Sequence, residues 1–414
     1  PVIVVGVLII AKLSAPLSRR QQTLLDRLNR VIRENITGIR VIRAFQKDEA
    51  ENQRFEAVDD DYRRTSTSLF KLMSFTDPVF FFFLNAMMLV IFWMASHMIG
   101  AGTLQVGQLV AFGEYQFHAM YSMMLFSMVF VMYPRAAISA KRIQDVMDVV
   151  PSVEDYPNLE HHNQVPSIVF DHVSFRYPDG ESAVLKDISF EVNEGETVAF
   201  IGSTGSGKST LAKLLVRFFD VSSGEIKING ADIRSYDLKH LRNLIGYTPQ
   251  KANLFSGTIK DNILFGNEHA SDEEVVRASK LAEAYSFIME TPLQFNEPVS
   301  EGGNNFSGGQ KQRISIARAL VRKADFYLFD DSFSALDYRT DAKVRKNLTD
   351  ISHSKIMLIV AQRVASIMHA DQIIVLHEGE IVGKGKHETL IKSCQVYREI
   401  AESQLSEEEL ARYE

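Results

Sequence analysis

Hydrophobic and polar residues follow two different patterns along this chain, and the change falls near residue 135. Before it, long uncharged stretches alternate with charged, helix-forming segments. After it, short apolar runs alternate with amphipathic stretches. An apolar run of about 20 residues can cross a bilayer as a helix, whereas apolar runs of about four to eight residues between turns are typical of buried strands. The pattern predicts a multi-domain chain with a partial α-helical transmembrane domain (residues 1–145) followed by an α/β domain.

Two stretches without Asp, Glu, Lys or Arg predict membrane spans: Val79–Gly100 and Tyr115–Tyr133. We expect the corresponding helices at about 74–100 and 106–134. The connection between them has no basic residue, whereas arginines and lysines flank the other ends, which places those flanks in the cytoplasm. The alternative for each stretch is a core helix of a large soluble protein. Two spans joined so closely favour a multi-pass protein of the cell membrane, in contact with lipid.

The start of the chain has an apolar run to Ala11, about half the length of a spanning helix, followed by arginines. A signal peptide would carry its positive charges before the apolar run. We therefore expect the end of a spanning helix whose beginning is missing. The regular Leu, Val and Ile spacing of residues 18–71 predicts long helices that project into the cytosol.

The second half divides into a linker at 146–166, a domain at 167–402 and an acidic tail at 403–414 that we expect to be a frayed, solvated helix. Seven short segments are expected to be strands: SIVFDHVSFRY, AVLKDISFEV, TVAFIG, GEIKING, FYLFDD, KIMLIVA and QIIVLHEGEIVG. Strands that alternate with helical stretches predict an α/β domain, here with an antiparallel addition.

Charge and cysteine content exclude some classes of protein. The formal net charge of -7 argues against a nucleic-acid-binding protein, since a surface that follows phosphates needs a basic excess. The single cysteine, Cys394, excludes a disulfide framework and a multi-cysteine metal site.

A phosphate-binding loop lies between an apolar strand and a helical run. The pattern G-x-x-x-x-G-K-[ST] is matched by Gly202, Ser203, Thr204, Gly205, Ser206, Gly207, Lys208 and Ser209, with Thr210 next in the helix. Backbone N–H groups of such a loop surround phosphates, the lysine reaches the terminal phosphates and the serine binds Mg²⁺. Asp330 ends another apolar strand, where a carboxylate completes the Mg²⁺ shell. The expected cofactors are ATP and Mg²⁺.

A family resemblance enters with the sequence FSGGQ, formed by Phe306, Ser307, Gly308, Gly309 and Gln310. It resembles the LSGGQ signature of ABC ATPases, and the family pattern continues over residues 168–400. The resemblance implies that Tyr177 stacks on adenine and that Gln250 senses both Mg²⁺ and the membrane domain. It also implies an interface loop that crosses between two ATPase domains, made of Ser334, Ala335, Leu336 and Asp337. ABC domains work as head-to-tail dimers, so this chain's signature would complete its partner's ATP site.

The membrane part resembles the family as well. Residues 34–45 are similar to the cytoplasmic loop of exporters whose short coupling helix docks on an ATPase domain. The resemblance implies that the helix before this loop is the fourth and that the two complete spans are the fifth and sixth of a six-helix half. Ile39, Val41, Ile42 and Phe45 supply an apolar surface between arginines that suits a groove on a partner domain. Local packing of an amphipathic helix is the alternative.

Two positions depart from the family pattern. Asp331 stands where hydrolytically competent members have the glutamate that polarises the attacking water, and Gln362 stands where they have the switch-loop histidine. A carboxylate withdrawn by one methylene can cost about 100-fold in rate, and glutamine cannot act as a cation. Together they predict an ATP hydrolase whose own site is slow. With its signature nearly intact, the chain resembles the degenerate subunit of heterodimeric bacterial multidrug exporters, and its expected partner is a second half-transporter.

The cargo is predicted only as a class, amphipathic small molecules such as drugs. Residues 80–83, all phenylalanine, supply adaptable apolar surface, as do methionines 120, 123, 124, 128 and 132, although lipid contact and helix packing explain them equally well. Glu114 is a possible partner for cationic drugs, or a water-facing interfacial carboxylate. Two other functions stay open: a homodimeric exporter of lipid or peptide, and a non-transporting, membrane-anchored ATP-binding regulator.

Overall fold

The computed structural model describes residues 2–155, 165–406 and 410 of the 414 residues. The chain forms two compact units, Pro1–Val149 and Val150–Glu414. Residues 156–164 of the expected linker, and all of the acidic tail beyond 406 except 410, lie outside the described residues, as do the side chains of Phe80, Met123, Met124 and Met128.

The described part of the first unit, residues 2–149, contains four long helices. They are α1 (Val2–Ala44), α2 (Asp48–Ser74), α3 (Thr76–Gly100) and α4 (Val106–Met147). Helices α3 and α4 occupy the two segments expected to span the membrane, but α4 continues past the expected end at 134, because helix formers such as Ala136, Ala137 and Ala140 follow. Of the described residues, the segment Phe81–Gly100 is by length and composition apolar enough to cross a bilayer, with a mean hydropathy of 1.8.

Helices α1 and α2 form the pair of long helices that the sequence predicts, and their projection into the cytosol stays a prediction. They run antiparallel, since Gln21 donates to Ser66 Oγ at 2.9 Å while Arg54 pairs with Glu34 at 2.7 Å nearer the turn. Their buried residues recur at intervals typical of a two-helix seam: Leu24, Val31, Val58, Thr65 and Leu69. The expected short coupling helix is not a separate element. Residues 34–44 are the end of α1, because no proline interrupts them.

The described part of the second unit contains twelve strands. They are β1 (Ser167–Phe175), β2 (Leu185–Asn193), β3 (Thr197–Gly202), β4 (Ser223–Ile228), β5 (Ala231–Asp232), β6 (Ile245–Thr248), β7 (Gly257–Thr258), β8 (Pro298–Val299), β9 (Phe326–Asp330), β10 (Ile356–Val360), β11 (Gln372–His377) and β12 (Glu380–Gly385). Its helices are α5 (Lys208–Leu215), α6 (Leu238–Asn243), α7 (Ile259–Leu264), α8 (Asp272–Leu281), α9 (Tyr285–Glu290), α10 (Gly308–Leu320), α11 (Tyr338–Ser352), α12 (His387–Ser393) and α13 (Gln395–Glu402).

The central sheet has the strand order β12-β11-β3-β10-β9-β6, and all its strands except β12 are parallel to their neighbours. Every residue of β9 and β10 is buried, as expected for parallel strands covered on both faces. Successive side chains of β3 enter different cores: Ala199 and Ile201 pack on one side of the sheet, and Val198 and Phe200 on the other. The antiparallel sheet β2-β1-β4-β5 covers the core that contains Val198 and Phe200.

All seven segments expected to be strands contain strands, so the α/β prediction with an antiparallel addition is confirmed. The last segment is a hairpin rather than one strand, because the chain turns at Glu378 and Gly379, both with positive φ, between β11 and β12. Part of the expected linker belongs to the second unit. Arg217 donates to the backbone oxygen of Glu154 at 3.0 Å, and Asp155 accepts from the Leu238 N–H at 2.9 Å.

Candidate nucleotide-binding site

The candidate site lies at the carboxyl ends of four neighbouring parallel strands. The loop after β3 leads into α5, Asp330 ends β9, Gln362 follows β10 and Gln250 follows β6. Because parallel strands end at the same edge of the sheet, residues that are far apart in sequence meet there. This edge is the place where doubly wound sheets bind their ligands.

The loop between β3 and α5 depends on glycine for its shape. Gly205 has φ 84° and Gly207 has φ 101°, a region that residues with a Cβ rarely adopt. A Cβ on Gly207 would lie 2.5 Å from Leu185 Cδ2, whereas one on Gly205 would meet nothing within 4 Å. Packing inside the domain thus requires glycine at 207, whereas Gly205 leaves the outer side of the loop open for a ligand.

Lys208 begins α5 and is only 8% exposed. Its Nζ donates to the backbone oxygens of Gly202 and Ser203 at 2.7 and 2.8 Å, and to Ser206 Oγ at 3.3 Å. Burial lowers the pKa of Lys208, while the Asp331 and Asp330 carboxylates oppose that shift. A partly desolvated ammonium group held by neutral oxygens is suited to exchange them for phosphate oxygens, which bear charge.

The oxygens that would hold Mg²⁺ are already adjacent. Ser209 Oγ donates to Asp330 Oδ1 at 2.9 Å, and burial raises the pKa of Asp330. Hydroxyl and carboxylate oxygens suit this cation, which is commonly bound by one or two carboxylates together with substrate phosphates. In keeping with that, the described residues contain no group of three His, Cys, Asp or Glu side chains that could hold a metal ion by themselves. When bound, Mg²⁺ would supply charge neutralisation at the phosphates.

Asp331 is held by two amide side chains. Its Oδ2 accepts from Gln362 Nε2 at 2.8 Å and from Gln250 Nε2 at 3.3 Å. The backbone is fixed as well: the Asp331 N–H donates to the Val360 oxygen at 2.9 Å, and the Asp331 oxygen accepts from Ser334 Oγ at 2.8 Å. Burial raises the pKa of Asp331. Neither amide can take up a proton, so neither glutamine can act as a general acid or base beside Asp331.

The backbone of Asp331 has φ 48°, in the left-handed region. Such conformations are uncommon outside glycine and persist only where the surroundings impose them. Here the strand β10, through Val360, and the interface loop, through Ser334, hold the residue. The Asp331 carboxylate is therefore presented from a constrained backbone.

Tyr177 lies beside the phosphate loop. Its hydroxyl is 3.1 Å from Thr210 Oγ1 on α5, and its ring meets those of Phe175 and Phe219 edge to face. The Lys213 ammonium lies 5.8 Å from the ring centroid. These contacts fix the ring on the helix that follows the phosphate loop. The adenine contact itself stays a prediction.

The signature residues begin α10. Ser307 caps the helix by accepting from the Gln310 N–H, and Gln310 Oε1 accepts from the Ser307 N–H at 2.9 Å. A Cβ on Gly308 would meet nothing within 4 Å, whereas one on Gly309 would lie 3.2 Å from the Ala335 oxygen. The signature thus lies against the interface loop of its own chain, and Asp337 in that loop caps α11 by accepting from Arg339 N and Thr340 N.

Several residues that hold the site together belong to no sequence motif. Ser332 Oγ donates to the Thr248 oxygen at 3.1 Å and joins the end of β6 to the residues after Asp330. Arg363 Nη2 donates to the Ser334 oxygen at 3.2 Å and joins the switch loop to the interface loop. The only sequence signal for Arg363 was its place directly after Gln362.

The residues expected to meet cargo lie in the first unit. Phe81, Phe82 and Phe83 are exposed on α3, and Glu114 is exposed on α4. Of the methionines, Met120 is buried and Met132 is exposed, so these two side chains do not belong to one exposed surface.

Both halves of the chain match families of known proteins. Residues 1–133 match the family described as "ABC transporter transmembrane region", and residues 185–334 match "ABC transporter". An uncharacterized ABC transporter ATP-binding protein of Bacillus subtilis, YfiB, is 37% identical over 99% of this chain and 71% of its own length. One of Mycobacterium tuberculosis is 38% identical over 94% of this chain and 67% of its own length.

A third relative, from Bacillus subtilis, is named as a probable multidrug resistance ABC transporter ATP-binding/permease protein; it is 34% identical over 91% of this chain and 64% of its own length. Among solved structures, a bacterial Atm1-family ABC exporter with ATP bound superposes with a TM-score of 0.84 at 29% identity, over 98% of this chain and 72% of that one.

The second unit combines a phosphate loop, a serine–aspartate pair suited to Mg²⁺ and a signature helix on one sheet, and a helical membrane unit precedes it. These features define the class as an ATP-driven transporter. The chain belongs to the ABC transporters, as a half-transporter that fuses a membrane region to an ATP-binding domain. It is a membrane protein with the exporter fold and a cytoplasmic ATP-binding domain, and the ATPase domain couples ATP hydrolysis to transport.

Proposed function

We propose that this chain is one half of a heterodimeric exporter of drugs or other amphipathic compounds, and that its own MgATP site turns over slowly. The partner is a second, different half-transporter that supplies the competent P-loop and glutamate. In this arrangement the nucleotide on this chain's P-loop acts mainly as a clamp between the two ATPase domains, and the partner's site performs most of the hydrolysis.

The observation that carries the proposal is the environment of Asp331. The carboxylate is one methylene shorter than glutamate, is held by the amides of Gln362 and Gln250, and projects from a backbone with φ 48°. Misplacement of a catalytic group by about 1 Å can cost about 100-fold in rate. The switch-loop residue that faces it is a neutral amide rather than an imidazole.

The signature supports the second half of the proposal. Ser307 and Gln310 form an ordered helix cap, and the Cβ direction of Gly308 is open. A loop that presents backbone N–H groups at the start of a 13-residue helix suits the γ-phosphate of another chain's nucleotide. The chain thus combines a weakened site of its own with a signature that can serve a competent one.

The proposed class of cargo rests on the exposed surface of α3 and on the name of one relative. Aromatic side chains are exposed along α3, including Phe81, Phe82 and Trp93, and a relative carries a multidrug resistance name. Large exposed apolar surfaces suit varied amphipathic ligands.

The test is the steady-state ATPase activity of the purified pair in lipid. We expect Asp331→Asn in this chain to lower turnover less than twofold, since a largely idle carboxylate is removed, while the same carboxylate-to-amide change of the partner's glutamate nearly stops it. The matched gain-of-function variant is Asp331→Glu with Gln362→His, which should raise hydrolysis at this chain's site. Lys208→Ala provides the control, because it should abolish photolabelling of this chain by an ATP analogue.

Two results would contradict the proposal. One is an equal loss from the two carboxylate changes. The other is full turnover by this chain purified alone, which would favour the homodimeric exporter. Unchanged ATPase activity across a range of cargo compounds, in liposomes where the pair is otherwise active, would favour the non-transporting regulator.

A further inference from the structure

The switch loop after β10 is held by a residue from the far end of the domain. Gln404 Nε2 donates to the backbone oxygen of Gln362 at 2.8 Å, and Gln404 Oε1 accepts from the Val364 N–H at 2.8 Å. One amide side chain therefore holds the backbone on both sides of Arg363. The pairing also fixes the orientation of the amide, because only its oxygen can accept from an N–H and only its nitrogen can donate to a carbonyl.

Gln404 is itself firmly placed. It follows α13, whose residues Tyr397 and Ala401 are fully buried, and the next residue, Leu405, packs against the same core. Its own N–H donates to the Ala401 oxygen at 3.0 Å. The side chain is exposed, so its two hydrogen bonds serve to hold the loop rather than to satisfy a buried amide.

The loop that Gln404 holds is the one that contacts the candidate catalytic carboxylate. Gln362 uses its backbone oxygen for Gln404 and its side-chain nitrogen for Asp331 Oδ2 at 2.8 Å. Arg363, between the two anchored groups, donates to the Ser334 oxygen in the interface loop. A continuous series of hydrogen bonds thus runs from the end of α13 to Asp331 and to the interface loop.

We propose that Gln404 is a positioning residue for ATP hydrolysis, which sets the place of Gln362 beside Asp331 and of Arg363 beside Ser334. This inference rests on the proposed function, since it requires that this chain's site hydrolyse ATP, even slowly. Gln404 touches neither nucleotide nor Mg²⁺ in this role, so nucleotide affinity should not depend on it. Release of the amide would let the switch loop and the carboxylate separate.

The test follows hydrolysis at this chain's own site, as vanadate-trapped ADP from a photoreactive ATP analogue, in the transporter purified with its partner and reconstituted in nanodiscs. Gln404→Met keeps the side-chain length and removes both hydrogen bonds. We expect trapping to fall about 3- to 10-fold, the change that one or two hydrogen bonds typically produce, with unchanged affinity for the analogue. Gln395→Met is the matched control, because that exposed glutamine bonds only within its own helix, to Glu399 at 2.9 Å.

Gln404→Glu separates a specific clamp from general packing. The ionised carboxylate can accept from Val364 N–H but repels the Gln362 oxygen, whereas the protonated acid can make both hydrogen bonds. Trapping by this variant, relative to the parent at each pH, should therefore rise as the pH falls from 8.0 to 5.5, because the introduced acid, whose ordinary pKa is about 4.3 and is raised by the facing carbonyl, takes up protons as the pH falls. The charged neighbours Arg363 and Glu402 are common to both proteins, and the ratio for Gln404→Met should stay flat.

Trapping by Gln404→Met equal to that of the parent would overturn the positioning role, as would equal losses from Gln404→Met and Gln395→Met or parallel pH ratios for the two Gln404 variants. A parent chain that binds the analogue but never traps ADP would instead contradict hydrolysis at this site, and with it the role of Gln404. The midpoint of heat denaturation, measured for each variant, shows whether a loss of trapping reflects unfolding.

Discussion

Two adjacent glycines of the signature, Gly308 and Gly309, differ in what surrounds them. Among the described residues, and apart from the adjacent residues and backbone of its own helix, nothing lies within 4 Å of a Cβ built on Gly308, whereas a Cβ on Gly309 would lie 3.2 Å from the Ala335 oxygen. Packing within the domain therefore explains why residue 309 is a glycine, but it does not explain the glycine at 308. If the signature serves another chain's nucleotide, the space beside Gly308 is the space that the nucleotide needs.

Gly308→Ala should therefore lower the steady-state ATPase activity of the assembled transporter by about tenfold or more, because the added methyl group displaces the phosphate from the signature N–H groups. The domain itself should be at least as stable as before, since alanine is the better helix former by about 1 kcal/mol. Gly309→Ala is the comparison: its added Cβ would lie 3.2 Å from the Ala335 oxygen, so its heat-denaturation midpoint should be lower than that of Gly308→Ala. Normal ATPase activity of a well-folded Gly308→Ala transporter would contradict the placement of the signature in a partner's site.

Single residues were predictable from sequence where a contiguous motif carries the chemistry. The phosphate loop is such a case, because its glycines, Lys208 and Ser209 act from neighbouring positions. The partners of Asp331 were not predictable, because Gln250 and Gln362 reach it from two other strands. The same holds for the φ of Asp331 and for Gln404, whose contacts with the switch loop depend on how α13 packs on the core.

The pairing of α12 with α13 contains a buried titratable group. His387 begins α12 and is buried, and its Nδ1 lies 2.7 Å from the Tyr397 hydroxyl on α13. Burial lowers the pKa of His387; the nearby His369 adds to that shift and Glu388 opposes it. The folded protein therefore resists protonation at this position more than the unfolded chain, whose histidines titrate at about 6.5.

The contribution of His387 to the free energy of unfolding is thus fully present above about pH 6.5. It is lost as the pH falls from there through the lowered pKa, by at most about 1.4 kcal/mol per pH unit. We expect the denaturation midpoint of the ATP-binding domain to fall by about 2–4 °C more between pH 7.5 and 5.5 in the parent than in His387→Gln. His269→Gln, at a side chain that is 87% exposed, should keep the parental pH dependence. Identical pH dependence in the parent and His387→Gln would show that this histidine is not the titrating group.

Elements were predictable in proportion to their length and apolar content. The buried strands β9 and β10 are uninterrupted apolar runs that fit a covered parallel sheet. The strands β5, β7 and β8 have two residues each, too few for any periodicity, and β6 carries Gly246 and two polar hydroxyl residues in four positions. Yet β6 leads to Gln250, so a short strand without a clear pattern positions part of the site.

At the scale of the whole molecule, the turn between α1 and α2 is the feature to explain. Phe45 is 71% exposed in its unit, and Ile39 and Val41 are exposed just before it. Gln46, with φ 53°, reverses the chain so that Phe45 lies at the tip of the helix pair. An aromatic side chain at the tip of a long helix pair, with arginines beside it, has the composition of an anchor for a domain contact.

Phe45→Ala should therefore uncouple transport from ATP hydrolysis. An aromatic anchor at a domain contact contributes about 2 kcal/mol or more, so its loss should weaken that contact at least about 30-fold, while the phosphate loop, which belongs to the other unit, keeps its affinity for ATP. The measurement is cargo-stimulated ATPase activity and uptake in inverted vesicles, beside binding of an ATP analogue. Phe70→Ala, at a side chain 62% exposed on α2 away from the turn, is the matched control. Uptake and stimulation that persist in Phe45→Ala, or that fall equally in Phe70→Ala, would place the coupling contact elsewhere on the membrane unit, because a true anchor acts only from the surface that meets the ATPase domain.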